Sequence, residues 1–281
     1  MEDLSWLEKL MKVSGLSEPR PTILKIGGSV ITDKNADSVV RTEEISRLAG
    51  EIHKANVENL VIVHGGGSFG HPVARRYRIK DGFKEDSQRI GFAETHNVMA
   101  VLNGFVMDSL ILHSIPAVSI TPSTCIVTEN GRIKSFQDNT LKTLLKMGFT
   151  PVLYGDAVLD TKLGFTILSG DQLVSMLGTM LNAERIVVGV DVDGLHDADP
   201  RVDVTAKVFK HLTLEELKEF QRKLDKPSVC DVTGGMLGKV TELIPAIQWG
   251  IPVMIVNALK PKSVYGVLKG EPVEGTVIEK E

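Results

Sequence analysis

Leu60-Val61-Ile62-Val63-His64-Gly65-Gly66-Gly67-Ser68-Phe69-Gly70-His71 is the stretch on which the reading of this chain turns. The apolar run predicts a buried strand, and the helical pattern Val73-Ala74-Arg75-Arg76-Tyr77 follows it. Three glycines between the two leave unpaired backbone N–H groups at a helix N-terminus, with no Cβ to keep an anion away. Such a turn is a phosphate cradle, and His71 stands at its mouth as a further donor.

By itself a glycine triplet after a strand equally marks a tight turn or close helix packing. Two further clusters change the weighing. Lys25-Ile26-Gly27-Gly28-Ser29 follows the apolar Ile23 and Leu24 and precedes Thr32-Asp33-Lys34, and Asp231-Val232-Thr233-Gly234-Gly235-Met236-Leu237-Gly238-Lys239 opens a helical pattern through Thr241, Leu243 and Ile244. Two phosphate-type loops imply two phosphates, and Lys239 is placed to reach one of them. No Gly-x-x-x-x-Gly-Lys-Ser/Thr string of a P-loop is present.

Around these clusters, apolar β-branched runs at 23–26, 60–63, 117–120, 151–153, 185–190 and 253–256 alternate with helical patterns such as 43–54 and 171–181. The alternation predicts an α/β fold, a three-layer αβα sandwich around a mainly parallel open sheet. Hairpin signals interrupt it at Asn130-Gly131 and at 160–164. Ligands of such sheets lie at the carboxyl ends of the strands, where the glycine clusters fall.

The 281 residues carry a net charge of −4, with 42% hydrophobic and 24% charged side chains. The balance suits an enzyme with a sizeable core and disfavours nucleic acid as a partner, for want of a basic tract. No apolar stretch approaches the roughly 20 residues of a membrane span, and the acidic start Met1-Glu2-Asp3 is unlike a signal peptide. Cys125 and Cys230 read as two reduced thiols, so a cytoplasmic location is expected, with no membrane partner. Residues 1–20 form a separate amphipathic extension with Leu4, Leu7, Leu10 and Met11 at helical spacing, and 21–281 a single domain.

The ordered motifs Lys-x-Gly-Gly-Ser at Lys25, the glycine triplet after the second strand, Ser169-Gly170-Asp171, Asp191-Val192-Asp193-Gly194 and Thr-Gly-Gly-Met-x-x-Lys ending at Lys239 resemble the amino acid kinase family. The resemblance runs from about Pro21 to the end. The second histidine of His64-Gly65-Gly66-Gly67-Ser68-Phe69-Gly70-His71 is similar to the isopentenyl phosphate kinases within it.

The resemblance implies transfer of the γ-phosphoryl of ATP, with Mg²⁺ on the nucleotide, to isopentenyl phosphate or a similar short prenyl phosphate by a homodimer. It also implies a phosphate-acceptor half at about 21–180, a nucleotide half at about 181–281, and the roles. Lys25 and Lys239 hold the transferring group and the nucleotide phosphates, Asp171 orients both lysines, Lys34 is a further transition-state cation, and His71 grips the acceptor. Nucleotide contacts fall to Lys25, Gly27, Gly28, Ser29, Gly67, Asp191, Asp193, Gly194, Gly235 and Lys239, and acceptor contacts to Gly66, Gly70, His71 and Gly155. Val190 and His196 stand where relatives often carry a hydroxyl residue and a tyrosine.

For the acceptor's tail, the segment after the cradle offers Ile90, Phe92, Met99 and Leu102, and Phe92, Met99 and Ile167 are the expected floor of a short apolar slot. Asp156 reads either as a turn cap or as part of the site. His53, His96, His113 and His211 read as packing or surface residues. Two other readings remain open: a sister kinase acting on another small phosphate, phosphonate or acyl amino acid, and a ligand-binding protein of the same fold. The presence of Lys25, Lys239 and Asp171 together favours an enzyme.

Overall fold

The computed structural model describes residues 20–34, 36, 38–224 and 235–281. The expected extension and the residues 231–234 that precede Gly235 therefore lie outside the described residues. In chain order the elements are β1 (Thr22–Ile26), α1 (Gly28–Ile31), α2 (Thr42–Ala55), β2 (Leu60–His64), α3 (Gly67–Arg76), α4 (Ser87–Leu112), β3 (Ala117–Ser119) and α5 (Pro122–Cys125). They continue with β4 (Ile126–Glu129), β5 (Arg132–Phe136), α6 (Asn139–Lys146), β6 (Thr150–Tyr154), β7 (Asp156–Asp160), β8 (Gly164–Leu168), α7 (Gly170–Met180) and β9 (Arg185–Val190). β10 (His211–Thr213), α8 (Leu214–Leu224), α9 (Met236–Gln248), β11 (Val253–Asn257), α10 (Ser263–Lys269) and β12 (Gly275–Glu279) complete it.

Among the described residues the strands form an eight-stranded sheet in the order β10-β12-β11-β9-β1-β2-β6-β3. From β11 through β3 every neighbouring pair is parallel, and β12 joins β11 antiparallel at the edge it shares with β10. The expected strand and helix runs all appear. The hairpin signals also hold, since β4–β5 and β7–β8 are antiparallel pairs. Sequence did not reveal that these two hairpins join through β4 and β7 into a second, four-stranded sheet. Among the described residues no helix is long and apolar enough to cross a membrane.

Strand alternation decides what each face carries. In β1, Ile23 enters the core cluster with Leu173 and Leu177 of α7 and Val240 and Leu243 of α9, while Leu24 and Ile26 enter the cluster with Leu48 of α2, Leu102 of α4 and Val264 of α10. Lys25 shares its face with Ile23, so its side chain runs toward α7. β2 repeats the pattern, with Val61 and Val63 on the α7 side and Ile62 on the α4 side. His64 therefore looks toward α4. Strands buried on both faces, such as β1 and β2, anchor the glycine turns rigidly at their carboxyl ends.

Candidate active site

The two glycine turns after β1 and β2 touch backbone to backbone. A Cβ on Gly28 would lie 2.1 Å from the amide nitrogen of Gly67, and one on Gly65 would lie 2.7 Å from that of Gly28. Gly67 has φ +48°, and a Cβ there would meet the Thr32 hydroxyl at 2.0 Å. Only glycine fits. Thr32 stitches the two turns together: its Oγ1 donates to the Gly28 carbonyl at 2.8 Å and accepts the Ser68 N–H at 3.0 Å. Sequence reading passed over Thr32, whose role depends on a contact between segments 36 residues apart.

α3 begins at Gly67, earlier than the expected Val73, so the cradle is itself the first turn of the helix. The helix opens on a cleft of about 550 Å³ lined by Lys25, Gly27, Gly28, Ser29, Gly66, Gly67, Gly70, His71, Gly155, Asp171 and Lys239. Lys34, Asp191, Met99 and Ile167, also drawn from the sequence, line it too. A second cavity of about 220 Å³ shares Ser29, Lys34, Asp191 and Lys239 with the cleft and continues to Val192, Gly194, His196, Asp199, Arg201 and Met236. The shared residues stand at the junction, where a group passed from one cavity to the other would lie.

Lys25 is only 3% exposed, and its Nζ donates to Asp171 Oδ1 at 2.5 Å. Burying an ammonium costs several kcal/mol unless a counter-charge is fixed beside it. Asp171 is that charge, held in the first turn of α7, whose N-terminus favours a carboxylate and is capped by the Ser169 hydroxyl accepting from Gln172 N–H at 3.1 Å. Lys239 on α9 completes the cluster. Burial, then the charge of Lys25, push its pKa down against the pull of Asp171 and Asp191, so an anion bound here would restore it. Lys34 pairs with Asp191, which also accepts from Ser29 Oγ at 3.0 Å.

His71 is exposed at the cleft mouth. Partial desolvation by the neighbouring cleft wall, then Lys239, Arg75 and Lys25, hold its pKa below the usual 6.5, against the opposing pull of Asp171. Arg75 lines the cleft one helical turn after His71 on α3, a partner the i, i+4 spacing could have revealed.

Several expected contacts take a different form. Asp193 does not line either cavity; it accepts from Asn257 Nδ2 at 2.9 Å and pairs with Lys260 at 2.7 Å, so it braces the loop whose Gly194 does line the second cavity. Gly235 caps α9 with φ +81° and lines neither cavity. Gly155 lines the cleft, but its N–H is already given to the His64 carbonyl at 3.2 Å, so its contribution is the missing side chain. Val190 lines the cleft and His196 the second cavity, with His196 Nδ1 3.1 Å from the Gly194 carbonyl.

Of the apolar side chains expected from α4, only Met99 reaches the cleft. Ile90 is 66% exposed, Leu102 is in the core, and the Phe92 ring lies 5.3 Å from that of Phe165. Phe92 and Met99 share a helix face, but seven residues separate them by about 10 Å along the axis. The result is that Met99 meets Gly66 and Gly70 while Phe92 packs in a cluster behind Ile167. His96, read as a packing or surface residue, instead holds the buried Asp156 at 3.0 Å, and Asp156 lines the cleft. Burial raises the Asp156 pKa, with His96 working against the rise.

Residues 20–257 match the sequence model of the amino acid kinase family. This chain belongs to the amino acid kinase family. Relatives in that family include an isopentenyl phosphate kinase of Methanothermobacter thermautotrophicus, 39% identical over 91% of this chain and 98% of its own. An isopentenyl phosphate kinase of Methanocaldococcus jannaschii is 37% identical over 92% of this chain and 98% of its own. A solved structure of isopentenyl phosphate kinase superposes with a TM-score of 0.81 at 37% identity, covering 92% of this chain and 99% of that one. The amino acid kinase fold is thus shared along nearly the whole length.

Proposed function

We propose that this protein is a small-molecule kinase that transfers the γ-phosphoryl group of Mg·ATP to isopentenyl phosphate, giving isopentenyl diphosphate and ADP. The observation that carries the reading is a single cleft whose lining joins the cations Lys25, Lys239, Lys34 and Arg75 and the imidazole of His71 to the apolar side chains of Ala74, Met99, Ile167 and Leu168. A short prenyl phosphate matches that combination. An amino-acid acceptor would need a carboxylate for its α-amino group, and the acceptor-side carboxylate, Asp156, is committed to His96. The kinship to isopentenyl phosphate kinases supports the same choice.

In this reading the acceptor phosphate lies against Gly66, Gly67 and His71, and the nucleotide occupies the cavity from Gly194 to Lys239. An acceptor phosphate oxygen attacks the γ-phosphorus, the bond to the β,γ-bridging oxygen breaks, and ADP leaves with the electron pair. Such a step needs alignment and charge neutralisation more than a protein nucleophile. Lys25 and Lys239 flank the transferring group, with Asp171 holding Lys25 in place beforehand. Lys34 leaves Asp191 to meet the developing charge.

Mg²⁺ supplies charge neutralisation from the nucleotide's own phosphates. Among the described residues no cluster of three His, Cys, Asp or Glu side chains is placed to hold the ion, and Asp171 and Asp191 are turned to lysines. The acceptor half is assigned to 21–180 and the nucleotide half to 181–281, and the active species is a cytoplasmic homodimer. ADP release tests the function. Turnover with isopentenyl phosphate and none with glutamate or N-acetylglutamate is expected, and the opposite pattern overturns it.

A further inference from the structure

His64, at the start of the cradle, neither touches the cleft nor faces solvent. It is 0% exposed, and its ring stacks on Tyr154 at 5.3 Å with the planes 21° apart. Its Nδ1 lies 3.2 Å from the carbonyl oxygen of Gly65, and its Nε2 lies 3.3 Å from Oδ1 of Asn103 on α4. Nδ2 of the same amide donates to Ser119 Oγ at 2.8 Å. Burial drops the His64 pKa to about 4, with the Gly65 and Asn103 contacts pulling the other way. The imidazole is therefore neutral and carries a single N–H.

As the amide stands, an Nε2–H ring would donate to Asn103 Oδ1 but leave the Gly65 contact without a donor; with the Asn103 amide turned over by exchange of its O and N, one proton position satisfies all three contacts. Nδ1 is then protonated and donates to the Gly65 carbonyl, and the turned amide presents its nitrogen to Nε2 and its oxygen to the Ser119 hydroxyl. Protonation at Nε2 would instead turn a nitrogen lone pair toward the Gly65 oxygen, leaving both without a donor. Buried carbonyls and ring nitrogens are seldom left so.

The Gly65 carbonyl is half of a peptide unit whose other half is the Gly66 N–H, and the chain has no cis peptide among its described residues. In a trans peptide the C=O and N–H point in opposite directions. A donor fixed on the Gly65 oxygen therefore fixes where the Gly66 N–H points. Gly66 lines the cleft, and its N–H donates to no acceptor among the described residues. Both flanking residues are glycine, so without an anchor this peptide plane would rotate with little steric resistance.

We propose that His64 is a positioning residue for the acceptor phosphate, its Nδ1–H clamping the Gly65 carbonyl so that the Gly66 N–H is aimed into the cleft before the acceptor arrives. The proposal rests on the assignment of Gly66 to the acceptor side. His64 gives preorganisation at no cost to the cleft's own space, since the ring lies on the far side of the peptide, held by Tyr154 and Asn103.

Two measurements test it. In ¹⁵N–¹³C correlation spectra of the wild-type protein labelled in histidine, His64 is expected as the Nδ1–H tautomer, neutral at pH 6; an Nε2–H tautomer overturns the proposal whatever the substrate is. The second compares His64→Asn, whose side-chain amide can stand where Nδ1 stood, with His64→Gln, whose amide reaches the place of Nε2. Both lose the ring and its stacking on Tyr154.

His64→Gln is expected to raise KM for isopentenyl phosphate about tenfold with KM for ATP unchanged, and His64→Asn to recover most of that loss at a similar melting temperature. Equal acceptor KM values in the two variants, or parallel changes in both KM values, refute the clamp and leave a purely structural histidine. Lack of wild-type turnover with isopentenyl phosphate would instead count against the function, and the tautomer would still be read.

Discussion

Replacing His71 by alanine separates a substrate contact from a structural residue, because the side chain is exposed on α3. Partial desolvation by the neighbouring cleft wall, followed by the charges of Lys239, Arg75 and Lys25, keeps the free imidazole below its ordinary pKa of 6.5, against Asp171. At neutral pH it is a neutral donor facing the place of a dianionic phosphate. A hydrogen bond to a charged group contributes about 1.5–3 kcal/mol, and each ~1.4 kcal/mol is tenfold in rate, so kcat/KM for the acceptor is expected to fall about ten- to a hundredfold.

The cost to folding is small by contrast. Surface substitutions usually stay within about 0.5 kcal/mol, which in a chain this size moves Tm by roughly 2 °C or less. His71→Gln, which keeps a neutral donor, is expected to lose less activity. ADP release at varied isopentenyl phosphate, with ATP saturating, reads the first effect, and calorimetry the second. A stable His71→Ala protein with unimpaired acceptor kinetics would refute the reasoning and remove the residue that most favours a prenyl phosphate.

The other predictions follow from the same geometry. Asp171→Asn leaves the 3% exposed Lys25 without its carboxylate; a stability loss of about 3 kcal/mol and a fall in kcat of at least about a hundredfold are expected from denaturant titration and steady-state assays. Met99→Ala removes the wall whose sulfur lies 2.8 Å from where side chains on Gly66 and Gly70 would begin, so longer prenyl phosphates are expected to become substrates. Phe92→Ala breaks the Phe165 contact and is expected to cost about 3 kcal/mol with the chain-length preference unchanged.

Finally, His64 has a folded pKa of about 4 against an ordinary 6.5, so the unfolded chain binds the proton more readily. Its contribution to stability is complete above pH 6.5 and is lost as pH falls toward 4, by about 3 kcal/mol. Urea midpoints measured from pH 7 to 4.5 should show that loss in the wild type and a shallower one in His64→Gln. Equal slopes would refute the assignment.

The sequence by itself determined the layered architecture, because strands buried on both faces must be apolar runs and their helices must be amphipathic, and both leave a local periodic record. It also located the glycine turns that line the cleft, since a glycine turn after a strand is a local requirement of backbone approach. Lys25, Lys239 and Asp171 were legible as types in motifs. What alternation along β1 added was direction, sending Lys25 onto the α7 face where Asp171 stands.

Tertiary structure alone decided the rest, because those contacts join residues far apart in the chain. Thr32 meets Ser68, His96 meets Asp156, His64 meets Asn103, and Asp193 turns to Asn257 and Lys260. Phe92 and Met99 have the same helical phase, and only the placement of α4 against the glycine turns and against β8 makes one a cleft wall and the other a core ring. Periodicity fixes which face of an element is buried. What that face meets is fixed by where the other elements dock, which no local pattern records.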